Sequence, residues 1–288
     1  MSEKKYTLVL AGGSVKGFGM LGAIQYIHEN VHTQNIHSYF GTSIGAIISY
    51  MLCIGQTPLE IVHSVISTKI LDKVQTDISL EQLLTHQGMI NFDHFHEELE
   101  LITLSKHGDL FTMKSLYDTL GKELCCVTFN YTLNKMELLH HTTTPDLPCL
   151  IALQMSASIP FVFNRMTYQD CIYIDGGIVD NFPIRIATRM GRENIIAIAA
   201  NQETDEDLEP SHHLEIIKLL TLPIVQRTRQ TIRKYRKRVA IIDIPVSQHI
   251  LQFDLTVPQI MEMFSIGYKT GKDILEHKNI FSTKKEEK

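Results

Sequence analysis

The chain contains no Cys-x-x-Cys, and its five cysteines (Cys53, Cys125, Cys126, Cys149 and Cys171) are odd in number, with two adjacent. That pattern argues against a disulfide framework or a zinc knuckle and for reduced, buried thiols in a cytoplasmic protein. A membrane-spanning run is missing as well. Ser38–Leu59 is uncharged over 22 residues. Gly41, Ser43, Gly45, Ser49, Gln56 and Pro58 interrupt it, and its continuous apolar part is about half a span, so a buried core helix is expected there. Residues 1–5 (Met-Ser-Glu-Lys-Lys) lead into a strand-like segment without an apolar core or cleavage site, so no signal peptide is read. Charge of one sign is scarce: 27 Lys+Arg against 32 Asp+Glu leave −5, too mild for a nucleic-acid binder. No repeat, low-complexity tract or Pro/Gly/Ser-rich linker divides the chain.

With 44% hydrophobic and 20% charged residues, the 288-residue chain can bury a sizeable core. Tyr6–Ala11 reads as a short strand, Gly12–Gly17 breaks it, and Phe18–Glu29 shows apolar residues at helical spacing. Ser38–Gly41 is a second strand and Ile44–Ile54 an apolar helix. Phe92–Gly121 looks helical and charged. Glu123–Tyr131 and Lys135–His141 look like paired strands joined near Asn134. An apolar helix is expected over Asp146–Ser156, strands over Cys171–Ile174 and Asn194–Ala200, and an acidic loop over Glu203–Glu209. A long helical stretch to Arg238, a strand (Val239–Ile244) and a final helix near Pro258–His277 follow. Alternating strands and helices predict one α/β domain with a mostly parallel central sheet flanked by helices.

Three segments carry chemistry. Gly41-Thr42-Ser43-Ile44-Gly45 is Gly-x-Ser-x-Gly at a strand-to-helix junction. There a serine on a tight turn stands clear of the sheet, the glycines prevent collisions, and the helix N-terminus faces a developing oxyanion. A serine N-cap with packing glycines would look the same locally. Gly12-Gly13-Ser14-Val15-Lys16-Gly17 opens a helix after the first strand, and successive amides in such a turn form an anion-binding concavity. It matches neither the P-loop nor Gly-x-Gly-x-x-Gly, so it is a phosphate cradle, an oxyanion hole or a plain tight turn. Asp175-Gly176-Gly177 ends a strand with a carboxylate, although Asp-Gly is also a common turn.

Together these segments resemble the patatin-like phospholipase family, with its Gly-Gly-Gly-x-Arg/Lys-Gly loop, its Gly-x-Ser-x-Gly elbow close behind and a distant Asp-Gly-Gly/Ala. Ser156–Pro160 and Val179–Pro183 resemble the family's sequence near its aspartate. Ser14 stands in place of the third glycine, which strains the loop if φ must be positive, and Lys16 replaces the usual arginine while keeping the charge. The resemblance implies a three-layer α/β/α fold, with a catalytic core over residues 6–200 and a C-terminal extension, 201–288, packed on the same domain. It further implies a Ser43–Asp175 dyad without histidine, an oxyanion hole of Gly12, Gly13 and Ser14, and support from Lys16, Gly17, Gly41, Gly45, Gly176 and Gly177. The reaction so implied is phospholipase A-type hydrolysis of membrane-lipid acyl esters through an acyl-enzyme, without metal or other cofactor.

Alternatives remain open at this level. A Ser–Asp–His triad would recruit His212, His213 or His249, and a non-catalytic module would bind anionic lipid. No His-Glu-x-x-His is present, and the adjacent pairs His140-His141 and His212-His213 lack ligand spacing. Arg227–Arg238 holds seven Lys/Arg among twelve residues and no acid, leaving 20 basic against 32 acidic residues elsewhere. It is either a solvated helix end or a patch for peripheral contact with anionic headgroups, and not a nucleic-acid site.

Overall fold

A computed structural model describes residues 4–31, 33–68, 92–160, 162–202, 212–246 and 252–281, with side chains of 202, 212–218 and 220 left aside. The strands are β1 (Tyr6–Leu10), β2 (Ile36–Thr42), β3 (Glu123–Asn130), β4 (Lys135–His140), β5 (Met166–Tyr168), β6 (Cys171–Asp175), β7 (Ile195–Gln202) and β8 (Ala240–Val246). They form one sheet in the order β5-β6-β3-β2-β1-β7-β8, with β4 also paired to β3. The run β3-β2-β1-β7-β8 is parallel, and β4, β5 and β6 pair antiparallel at one side.

The helices are α1 (Gly17–Asn30), α2 (Ile44–Cys53), α3 (Pro58–Thr68), α4 (Asp93–His107), α5 (Met113–Leu120), α6 (Cys149–Ala157), α7 (Gly177–Asp180), α8 (Ile184–Arg189), α9 (His212–Tyr235) and α10 (Val257–His277). Alternate strand residues point to opposite faces, and both faces are apolar, so both need cover. Leu8, Leu10, Ile198 and Ile242 pack with Met20, Ile24, Leu153 and Met263 of α1, α6 and α10. Val9, Ala197 and Ile241 pack on the other face with Ile184, Ile232 and Tyr235 of α8 and α9. The result is the single α/β domain with a mostly parallel sheet that the alternation of elements predicts.

Three details differ from the sequence reading. The helical stretch Phe92–Gly121 is two helices. Gly108, at φ 75°, ends α4 in the left-handed conformation, and Thr112 and Ser115 then cap α5 reciprocally. The helix expected from Asp146 starts at Cys149, because Pro148 holds an extended conformation at its N-cap. The helix expected to reach Arg238 ends at Tyr235. The acidic loop Glu203–Glu209 and His249 lie outside the described residues.

One register positions the site. On one edge, β3 pairs with β2 along Glu123–Val127 and then with β6 along Thr128–Asn130, while β4 occupies its other edge. Thr42 is opposite Val127 and Asp175 opposite Thr128. Consecutive residues of β3 therefore bring the end of β2, before Ser43, next to the end of β6.

Candidate active site

Ser43 joins β2 to α2 with φ 57° and ψ −129°, a conformation rare for residues other than glycine. The turn is tight enough to demand its glycines. A Cβ on Gly45 would lie 2.5 Å from the Leu10 carbonyl oxygen, and one on Gly41 would lie 2.4 Å from that of Gly45. The Ser43 amide donates to Ser156 Oγ at 3.1 Å, and Ser156 Oγ donates to the Val127 carbonyl at 2.6 Å. Thr42 Oγ1 donates to the Asp180 carbonyl at 2.9 Å. The elbow is thus tied to α6, β3 and α7.

Asp175 ends β6, where its amide donates to the Ser158 carbonyl at 2.9 Å. Its Oδ1 accepts the Gly177 amide at 2.6 Å, and its Oδ2 is buried with no partner in hydrogen-bond geometry. Burial pushes the carboxyl up to about 6, against the opposing pull of the Ser43 hydroxyl and the Gly177 amide. A carboxylate with raised proton affinity beside a serine hydroxyl is suited to accept its proton.

The loop after β1 is only partly free for an anion. The Gly12 amide donates to the Asn181 carbonyl at 3.0 Å. This corrects the expectation of three oxyanion donors, since a spent N–H cannot also hold an oxyanion. The amides of Gly13 and Ser14 have no acceptor among the described residues and line the same cleft as Ser43 and Asp175. Ser14 has φ 51°, so the serine in the third glycine's place adopts the left-handed conformation. Asn181 Nδ2 donates to the Gly12 carbonyl at 3.2 Å and to Thr228 Oγ1 at 3.1 Å. Ser156 and Asn181 belong to the two segments that resemble the family near its aspartate, but the sequence assigns neither of them, nor Thr228, a contact; a polar residue at the end of a distant element shows its purpose only once a partner is placed.

The sequence profile described as patatin-like phospholipase matches residues 8–188. The chain belongs to the patatin-like phospholipase family. A relative named probable lipid hydrolase 463L, from Invertebrate iridescent virus 6, is 34% identical over 188 residues, covering 64% of this chain and 63% of that protein. The chain therefore spans less than two thirds of that relative. The uncharacterized protein R571 of Acanthamoeba polyphaga mimivirus is 28% identical over 281 residues, 92% of each chain. The crystal structure of VipD from Legionella pneumophila shares the fold at 18% identity and a TM-score of 0.57, covering 96% of this chain and 67% of that one.

In this patatin-like chain two cavities meet at Ser43. One, of about 1030 Å³ including its open mouth, runs from Ser43 between α1, α2, α3 and α4, past Phe18, Ile47, Met51, Val65 and Phe95. The second, of about 680 Å³, contains Gly12, Gly13, Ser14, Lys16, Asp175 and Asn181, with Thr221, Ile224 and Val225 of α9 as its far wall. Lys16 is buried, and desolvation, with Arg229 nearby, lowers its ammonium to about 8. No histidine among the described residues lines either cavity. His212 and His213 begin α9, with side chains outside the description.

The remaining expectations separate in space. Among the described residues Glu123, His140 and His141 place possible metal-ligand atoms within 4.8 Å of one another. Glu123, however, is forked by Arg192 and bonded to His140 Nε2 at 2.8 Å, so these groups form a buried ion-pair network in which a guanidinium opposes a cation. No single helix among the described residues is long and apolar enough to cross a membrane; α2 and α3 pass such a test only as a pair bent by 116°.

Proposed function

We propose that the chain is a phospholipase A-type acyl hydrolase working through a Ser43–Asp175 dyad. Asp175 takes the proton of Ser43 Oγ as the oxygen attacks an acyl ester, and the Gly13 and Ser14 amides hold the oxyanion. Asp175 then returns the proton to the departing lysolipid oxygen. Water, deprotonated by the same carboxylate, attacks the acyl-enzyme, and the proton passes on to Ser43 Oγ as the fatty acid is released. The larger cavity holds the acyl chain, and the cleft that contains Lys16 and Asn181 holds the leaving group. Residues 6–200 carry this machinery, and the described part of 201–288 packs on it as one domain.

The observation that carries the reading is the register on β3, which puts a strained serine and an unpartnered carboxylate oxygen where the two cavities meet. The iridovirus relative's name, probable lipid hydrolase, points the same way. Labelling by a fluorophosphonate, with release of fatty acid from phosphatidylcholine, tests it. Ser43→Ala is expected to abolish both and to leave the thermal transition nearly unchanged. A variant keeping more than about a tenth of the wild-type rate would refute the assignment, since losing a nucleophile costs several orders of magnitude.

A further inference from the structure

Each amide that could hold an oxyanion shares a planar trans peptide unit with a carbonyl pointing the opposite way, so fixing the carbonyl aims the N–H. The Ser14 N–H is paired in this sense with the Gly13 carbonyl, which accepts the Lys16 amide at 3.1 Å, and the turn itself sets that donor. The Gly13 N–H is paired with the Gly12 carbonyl. That carbonyl is held by a side chain 169 positions away, Asn181 Nδ2 at 3.2 Å. The Asn181 main-chain carbonyl accepts the Gly12 N–H at 3.0 Å, so one residue holds both polar groups of Gly12.

Asn181 is not itself an oxyanion donor. The two hydrogens of Nδ2 go to the Gly12 carbonyl and, at 3.1 Å, to Thr228 Oγ1, and Oδ1 only accepts. Thr228, buried in α9, donates its own hydroxyl to the Ile224 carbonyl at 2.9 Å. It therefore presents lone pairs to Asn181 and fixes which way round the amide lies. The fit is close: a Cβ on Gly12 would lie 2.3 Å from Asn181 Oδ1 and 3.1 Å from Ser43 Cβ. Asn181 also directly follows α7, whose Gly177 amide bonds Asp175 and whose Asp180 carbonyl accepts Thr42 Oγ1 beside the elbow. The short segment 175–181 thus carries the base, braces the nucleophile and holds the loop.

We infer that Asn181 is the positioning residue of the oxyanion hole, aiming the Gly13 N–H through its grip on the Gly12 carbonyl, and that Thr228 of the C-terminal extension holds Asn181 in that orientation. This rests on the reading of Ser43 as an acyl-transfer nucleophile.

The test uses the full chain, a short soluble ester and a trifluoromethyl ketone. Ser43 Oγ adds to the ketone's carbonyl carbon, its proton passing to Asp175, and the adduct carries the oxyanion that the hole must hold. Asn181→Ala should lower kcat about tenfold to a hundredfold, part of the loss that removing one donor brings, with KM within about twofold. Its affinity for the ketone should fall by the same factor as kcat/KM. Thr228→Val should show the same pattern at about tenfold, and Thr228→Ser, which keeps the hydroxyl, should restore most of the rate. A purely structural role would lower the melting temperature and leave the folded fraction with wild-type ketone affinity, which overturns the proposal. An unchanged kcat in Asn181→Ala overturns it too, as does a raised KM alone, which would make Asn181 a contact to the leaving group. Should Asn181→Ala fail to fold, the two Thr228 variants decide, and equal ketone affinity in both overturns the proposal. A wild type as inert as Ser43→Ala would remove the hydrolase reading and this inference with it, whereas an active wild type beside an unaffected Asn181→Ala removes this inference only.

Discussion

Asp175 shows what a buried carboxyl costs. Its carboxyl, at 3.8 in the open chain, is raised to about 6 by burial, so the folded protein resists its ionisation. Below pH 4 the group is protonated folded or unfolded and the penalty is absent. It develops as pH rises through the interval to 6 and is complete above it, on the order of 3 kcal/mol. Asp175→Asn should therefore be inactive yet more stable than wild type at pH 7, with the gap closing by pH 4; urea denaturation at the two pH values measures it. Equal stability at both would mean that the carboxylate is not penalised. The same carboxyl must be ionised to act as a base, so kcat/KM on a soluble ester should fall below about pH 6. A rate level down to pH 4.5 would remove Asp175 from that role.

Among the elements, α1 and α10 illustrate a contact that neither sequence segment announces. A Cβ on Gly22 would lie 1.9 Å from the Phe264 carbonyl oxygen, and one on Gly267 would lie 1.8 Å from that of Gly19. The helices cross backbone against backbone, and Tyr268 Oη donates to Glu29 Oε2 at 2.6 Å beside the crossing. Glycine inside a helix costs about 1 kcal/mol relative to alanine. Gly267→Ala should nevertheless destabilise by about 3 kcal/mol or more, since the clash is with main chain that cannot rotate away. A denaturation midpoint equal to wild type would show that the helices can separate freely. Glycines in α1 and α10 are visible in the sequence as unfavourable choices, but their pairing belongs to the packed helices.

At the scale of the whole molecule, the C-terminal third completes the sheet. β8 pairs with β7 from Ile196 to Gln202, and Met263 and Phe264 of α10 join the core that covers Leu8 and Ile198. A chain ending at Gln202 would expose the edge of β7 and an apolar face of α1. It should be recovered mainly as aggregate, without cooperative melting by circular dichroism. A soluble, cooperatively melting fragment would instead make residues 201–288 an independent addition.

The amino-acid order alone carried the constraints that act between neighbours. A serine between glycines at a strand–helix junction and a strand ending in Asp-Gly-Gly are set by backbone sterics within a few residues, so they could be read directly, whereas the left-handed conformation of Ser14 was only a condition on the loop until the structure showed it. Their family pattern gave the nucleophile, base and loop as one expectation. Only the tertiary structure decided which amides remain for an oxyanion, because the Gly12 N–H is taken by Asn181, 169 positions away. It also decided that Ser43 and Asp175 adjoin, through hydrogen bonds to successive residues of β3. The same holds for the basic run, whose Arg227 reaches the carbonyls of Ile178 and Val179 beside the cleft while Arg236–Arg238 precede β8, at the opposite end of the parallel strands from Ser43. Register and packing between distant segments depend on the whole set of strands and helices, and no local period in the chain encodes them.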